Sequence, residues 1–175
     1  LVIGWIGTPS TWNEYVLGIL PLLKQVVESE GCQISVMGAD KGAEEHAFLN
    51  ISAWSEVAEV PFIQGLDVGI MPLNDTPWAR GKCGYKLIQY MACGLPVIAS
   101  PVGVNRHIVE HGVNGFLADS GDEWHAAIKI LLKDDELRRR MGEAGRRKVE
   151  QHYSLQVWGP RVAQTLRSVA EGDAG

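Results

Sequence analysis

The residues whose types and spacing suit chemistry lie in two short segments. One is GTPST, residues 7–11, small and hydroxyl-bearing, leading straight into a helical pattern. The other is NDTPWARGKCG, residues 74–84, with Arg80 and Lys82 inside it, Lys86 just beyond, and Gly84 where a second helix begins. Lysine and arginine give charge-assisted hydrogen bonds to phosphate oxygens. Small residues let backbone N–H groups approach an anion, and a helix N-terminus favours negative charge. The pattern therefore points to an anion site built from Gly7, Thr8, Ser10, Arg80, Lys82, Gly84 and Lys86. Blander readings stand beside it. Arg80 also reads as a solvent-facing charge, Lys82 as a partner for Asp75, and Lys86 as a side chain lying along its helix.

Other chemistries find little support. GTPST is not GxxxxGK[ST], and GxGxxG is absent, so neither a P-loop nor a dinucleotide fingerprint is present. Cys83, Cys93, His107 and His111 match no zinc spacing. Ser100 with His107 or His111 lacks the GxSxG elbow of a hydrolase, and no DxD appears. No metal is expected. Among the six tryptophans, Trp5 reads as core and Trp78 as a ligand contact. The run DDELRRRMGEAGRRKVE places acids and bases at helical spacing, which suits a solvated, salt-bridged helix face.

The elements that must position these residues alternate along the chain. Apolar runs at 2–6, 33–37, 67–73, 96–99 and 115–118 read as strands, with a weaker one at 51–54. A helix follows residue 11, where Thr11 and Glu14 have capping-box spacing. Pro21 marks a kink or restart in it, and Gly31 its stop. Further helices are expected at 44–49, 85–92, 105–110, 123–133, 136–151 and 162–169, the last beginning after a break at Pro160. Leu87, Ile88 and Met91 should face inward. Strands apolar on both faces imply a parallel sheet covered by helices. The fold class is α/β: a three-layer, doubly wound, Rossmann-like parallel sheet of about six strands with a helical C-terminal tail. In such a sheet ligands bind beyond the carboxyl ends of the strands, at the switch between the first and fourth.

The chain has 175 residues, 46% hydrophobic and 21% charged, with 16 Lys plus Arg against 21 Asp plus Glu. That size and balance suit one domain with a large core. A net charge of -5 argues against sequence-independent nucleic-acid binding. The three cysteines, Cys32, Cys83 and Cys93, suit reduced thiols in a cytoplasmic protein. No apolar run approaches the ~18 residues of a membrane span. Leu1 already lies in a strand-like run, so the expectation is a piece of something longer.

Residues 81–118, GKCGYKLIQYMACGLPVIASPVGVNRHIVEHGVNGFLA, resemble the carboxyl-terminal domain of the group 1 (family 4) glycosyltransferases of GT-B fold. MACGLPVIAS and HGVNGFLA carry the likeness most strongly. DVGIMPL upstream and the terminal helices extend it over nearly the whole chain, least well over 39–60. The resemblance implies a donor-binding lobe spanning 1–175, facing an amino-terminal acceptor lobe, with a tail helix at 161–171 packing on that lobe. It implies transfer of a sugar from a nucleoside-diphosphate sugar, with Tyr85 and Gln89 joining the residues above as donor-binding. No cofactor is implied beyond that substrate. The two glutamates many members carry fall here on Gly81 and Gln89, neither acidic, and the catalytic residues stay unassigned. Gln89 can still bond a ribose hydroxyl. The missing acids keep a noncatalytic lobe serving binding or assembly open, and a sugar-nucleotide epimerase lobe is the other alternative. Expected partners are a nucleotide sugar and the other lobe of the same chain, not nucleic acid. Peripheral membrane association of the full-length enzyme and dimerisation of the fragment through its exposed tail are open alternatives.

Overall fold

Strand and helix alternate as the pattern predicts in the computed structural model, which describes residues 1–172. The strands are β1 (Val2–Ile6), β2 (Gln33–Met37), β3 (Leu49–Ser52), β4 (Val68–Met71), β5 (Val97–Ala99) and β6 (Gly115–Leu117). The helices are α1 (Pro9–Thr11), α2 (Leu20–Glu30), α3 (Glu56–Gln64), α4 (Pro77–Arg80), α5 (Tyr85–Ala92), α6 (Asn105–Ile108), α7 (Gly121–Lys133), α8 (Asp135–His152) and α9 (Leu155–Ala170). The strands form one sheet in the order β3-β2-β1-β4-β5-β6, every neighbouring pair parallel. Winding runs outward from β1 to β3 and then resumes at β4 on the other side. The switch point is therefore between β1 and β4, as expected.

Period-two alternation sends neighbouring strand residues to opposite faces. Ile3, Trp5, Ile34, Val36, Val68, Ile70 and Ile98 point to one face, where Leu20 and Leu23 of α2 and Trp124, Ile128 and Leu131 of α7 cover them. Ile6, Met37, Met71, Val97 and Ala99 point to the other, beneath Ile63 of α3, Leu87, Tyr90 and Met91 of α5, and Val149 of α8. Burial on both faces explains why the strands read as continuous apolar runs. Helix α8 closes tightly on the end of α5, because a Cβ at Gly142 would collide with the carbonyl oxygen of Gly94.

Several local expectations change. The first cap is Thr8, whose side chain accepts from the Thr11 N–H while the Thr8 N–H donates to Thr11. Thr11 is thus the third residue of the capping box, not its start with Glu14, because Pro9 is preorganised for the first helical turn. After α1 the backbone widens into a π turn at Trp12–Val16 and tightens into 3₁₀ at Leu17–Ile19. Pro21 sits at the beginning of α2, the restart the proline allows, and Gly31 ends it in the left-handed region at φ 68.

Residues 44–49 are not a helix; a 3₁₀ turn at Lys41–Glu45 precedes β3, which begins at Leu49 rather than residue 51. Helices α3 and α4 lie where the sequence suggested no helix. On α5, Tyr90 is buried with Leu87 and Met91, while Ile88 is only half-buried. Pro160 does not break the chain; it lies within the second turn of α9, where its missing N–H removes one intrahelical bond and the helix continues on both sides. Val162, Leu166 and Val169 on this helix are 51%, 65% and 61% exposed, in line with the expected open tail.

Candidate functional site at the switch point

A cavity of about 540 Å³ opens beyond the carboxyl ends of β1 and β4. Its walls come from both predicted segments: Gly7 and Thr8 on one side, and Gly81, Lys82, Gly84, Tyr85 and Lys86 on the other. Trp5 and Tyr15 form part of the floor, and Pro77 and Trp78 part of the rim. Trp5 is buried as expected and is also a wall of the cavity. Trp78, 75% exposed, stands at the mouth, where the sequence reading put a ligand contact.

Lys86 is the central charge. It occupies the first turn of α5, directly after Gly84, which takes φ 68 and leaves the helix without a side-chain cap. Tyr85 and Lys86 therefore begin a helix whose first N–H groups have no intrahelical acceptor. The Lys86 ammonium lies over the Trp5 ring, 4.5 Å from its centroid. It also fills the notch at Gly7, where a Cβ would stand 2.6 Å from Lys86 Nζ. Burial, and then the nearby Lys82 charge, push its pKa down to about 8. Lys82 holds its ammonium 5.0 Å from the Tyr15 ring centroid. Two cations thus face one cavity at a helix N-terminus, with no carboxylate among its lining residues. An anion there would relieve the repulsion between them and raise the Lys86 pKa again.

The remaining predicted residues are placed differently. Arg80 stays outside, tied to Asp75 through Nε at 2.7 Å and Nη2 at 3.0 Å. The pairing considered for Lys82 is therefore made by Arg80, and it anchors the loop. Ser10 is exposed, its hydroxyl bonded to Thr8, and is not part of the wall. The Gly7 N–H donates to Met37 and the Thr8 N–H to Thr11, so this segment shapes the cavity more than it supplies donors. Gln89 also lies off the wall, its amide donating to Glu59 of α3. Gly81 brings no side chain.

Tyr15 is a polar wall residue that the sequence did not single out. It is 4% exposed, and its hydroxyl has no hydrogen-bond partner. Burial first, and then the adjacent Glu14, push its pKa up to about 12, so the phenol stays protonated and able to donate. Only the position of Tyr15 just after a ligand-facing segment could have marked it.

Doubly wound topology, with a cavity at the switch point faced by Lys82 and Lys86, defines a Rossmann-like α/β domain. The chain belongs to the family described as Glycosyl transferases group 1, whose family model matches residues 42–148. It is 40% identical over 72 residues to N-acetyl-alpha-D-glucosaminyl L-malate synthase of Bacillus anthracis, a match covering 40% of this chain and 19% of that protein. Its fold is similar to that of Anabaena HepE, solved in complex with UDP and glucose, with TM-score 0.78, 20% identity and 95% of this chain matched to 48% of that one. It is also similar to the solved C-terminal domain of a group 1 glycosyl transferase from Francisella tularensis, with TM-score 0.67, 18% identity and coverage of 88% and 86%. The chain thus spans about half of the HepE chain and nearly all of the isolated domain.

Proposed function

We propose that this chain is the donor-binding lobe of a glycosyltransferase, holding the diphosphate of a nucleoside-diphosphate sugar at the cavity between β1 and β4. The observation that carries the reading is the half-buried Lys86 ammonium, lodged between Trp5 and Gly7 at the uncapped start of α5. A cation kept there at a desolvation cost gains most from an anionic ligand. Family membership and the nucleotide complexes of similar folds support the same chemistry.

In the reaction so proposed, an acceptor oxygen forms a bond to the anomeric carbon as the bond to the diphosphate oxygen breaks. The bonding pair leaves with the nucleoside diphosphate. Negative charge grows on that leaving oxygen, and Lys86, Lys82 and the free N–H groups of α5 are arranged to stabilise it. Trp78 and Tyr85 at the rim are placed to exclude water around the sugar. The acceptor, and the groups that activate it, belong to the facing lobe of the full-length enzyme. A noncatalytic binding lobe is the second reading, favoured by Gly81, which presents no carboxylate to the cavity.

Calorimetric titration of the 1–175 chain with uridine, guanosine and adenosine diphosphates tests the proposal. At least one should bind, and Lys86→Ala should weaken it by about 10- to 150-fold, as for loss of a charge-assisted hydrogen bond. Binding unchanged by that substitution would remove Lys86 from the site. No binding to any of the three would remove the donor reading.

A further inference from the structure

Beside the cavity, Glu59 of α3 joins three elements through one carboxylate. The Trp54 indole N–H donates to its Oε2 at 2.8 Å, and the Gln89 amide donates to its Oε1. Gln89 lies one turn beyond Lys86 on α5, so the two share a helix face. Trp54 follows the carboxyl end of β3 and is 54% exposed. Gly38, at the carboxyl end of β2, connects the two regions. It has φ +75, a Cβ there would strike the Gly7 carbonyl oxygen, and it would lie 3.4 Å from Trp54 Cβ. The surface from the Lys86 notch across Gly7 and Gly38 to Trp54 is thus continuous, and it ends at a carboxylate.

Each Glu59 oxygen uses one lone pair in this network and keeps another. Two acceptors on one rigidly held carboxylate match two adjacent hydroxyl donors. An exposed indole beside them offers a flat apolar face. Resting on the donor reading above, we infer that Glu59 and Trp54 hold the nucleoside half of the ligand. Glu59 accepts hydrogen bonds from the vicinal ribose hydroxyls, and Trp54 stacks on the base. Gln89 and the Trp54 indole N–H fix the carboxylate in place and are positioning groups. The arrangement selects ribonucleotides over forms lacking those hydroxyls, because a deoxy ligand leaves the carboxylate oxygens unmatched.

The test compares inorganic pyrophosphate, the nucleoside diphosphate that binds best, and its 2′,3′-dideoxy form. Each is titrated into the wild-type chain, Glu59→Gln and Trp54→Ala, with heat and tryptophan fluorescence as readouts. Glu59→Gln should weaken the ribonucleotide by about 10- to 150-fold and leave pyrophosphate unchanged. It should also remove most of the preference for ribonucleotide over dideoxynucleotide. Trp54→Ala should weaken both nucleotides by about 5- to 150-fold, again without affecting pyrophosphate. Wild-type nucleotide affinity in both variants would overturn the inference and leave the donor reading standing. An equal loss toward pyrophosphate would do the same, since it would mark a structural role. Failure of the wild-type chain to bind any nucleoside diphosphate would overturn both.

Discussion

The phenolic oxygen of Tyr90 accepts the backbone N–H of Ile6 at 2.9 Å, in the buried seam between α5 and the end of β1. The paired residues of β1 and β4 are Ile3 with Val68 and Gly4 with Gly69, so Ile6, paired with Met37 of β2 on one side, has no strand partner on the β4 side. Gly69 has no side chain, and the Tyr90 ring occupies that space. This bond ties the helix carrying Lys86 to the strand that leads into Gly7. Tyr90→Phe should leave a buried N–H unpaired and cost about 1–3 kcal/mol of stability, read from chemical denaturation. A loss well under that range would show that the N–H finds another acceptor.

The lowered Lys86 pKa has a definite sign. Below about pH 8 the side chain is charged in both folded and unfolded chains, and the folded state bears the full desolvation cost. From about 8 toward the ordinary 10.5 the folded protein releases this proton first, so the Lys86 contribution to stability rises with pH. Lys86→Met should remove that rise, which denaturation midpoints across the window would reveal. Anion affinity should move oppositely, falling above about pH 8 as the amine loses its charge. At pH 9, calorimetry in buffers of different ionisation enthalpy should show proton uptake on binding. Binding without proton uptake would place the anion away from Lys86.

Gly142 offers a contrast with helix propensity. Alanine is intrinsically better than glycine within a helix by about 1 kcal/mol. In α8, however, the added Cβ would run into the Gly94 carbonyl oxygen. Backbone cannot yield as a flexible side chain can, so Gly142→Ala should destabilise by about 1–3 kcal/mol despite the better propensity. Gly18, with nothing near its Cβ, is the control and should tolerate alanine.

Leu166, 65% exposed on α9, should behave as a surface residue in this chain. Leu166→Lys should change stability by no more than about 0.5 kcal/mol while improving solubility. The measurements are thermal unfolding and light scattering. A large loss of stability would mean that the side chain is covered in solution.

The sheet could be read closely because its signals are local and strong. The bounds of β1, β2 and α5 match the expected spans, since apolar runs ending in Gly7, Gly38 and Gly94 leave little choice. The region before β4 was obscure for a physical reason. Helix α3 carries Val57 and Val60 outward, 85% and 52% exposed, and has Pro61 within it, so neither its apolar stripe nor its composition resembles a helix. The cavity residues Gly7, Thr8, Lys82, Gly84 and Lys86 followed from topology and charge, and Tyr85 from the family resemblance. What spacing could not express was competition between partners. Arg80 is claimed by Asp75, Gln89 by Glu59 and Ser10 by Thr8, and each pairing depends on side-chain direction.

The interior position of β1 also governs how the chain can assemble. Ile3 pairs with Ile34 on one side and with Val68 on the other, so both flanks of this strand wait for residues much further along. Closing loops of that length is entropically costly, and such non-local pairing slows folding. Trp5, on β1, and Trp12 pack edge to face with centroids 5.6 Å apart, and both are buried. Their emission should therefore mature late in refolding, when β4 docks and seals the middle of the sheet. The same event brings the walls of the cavity together, so an indole signal built into the core reports when the site first exists.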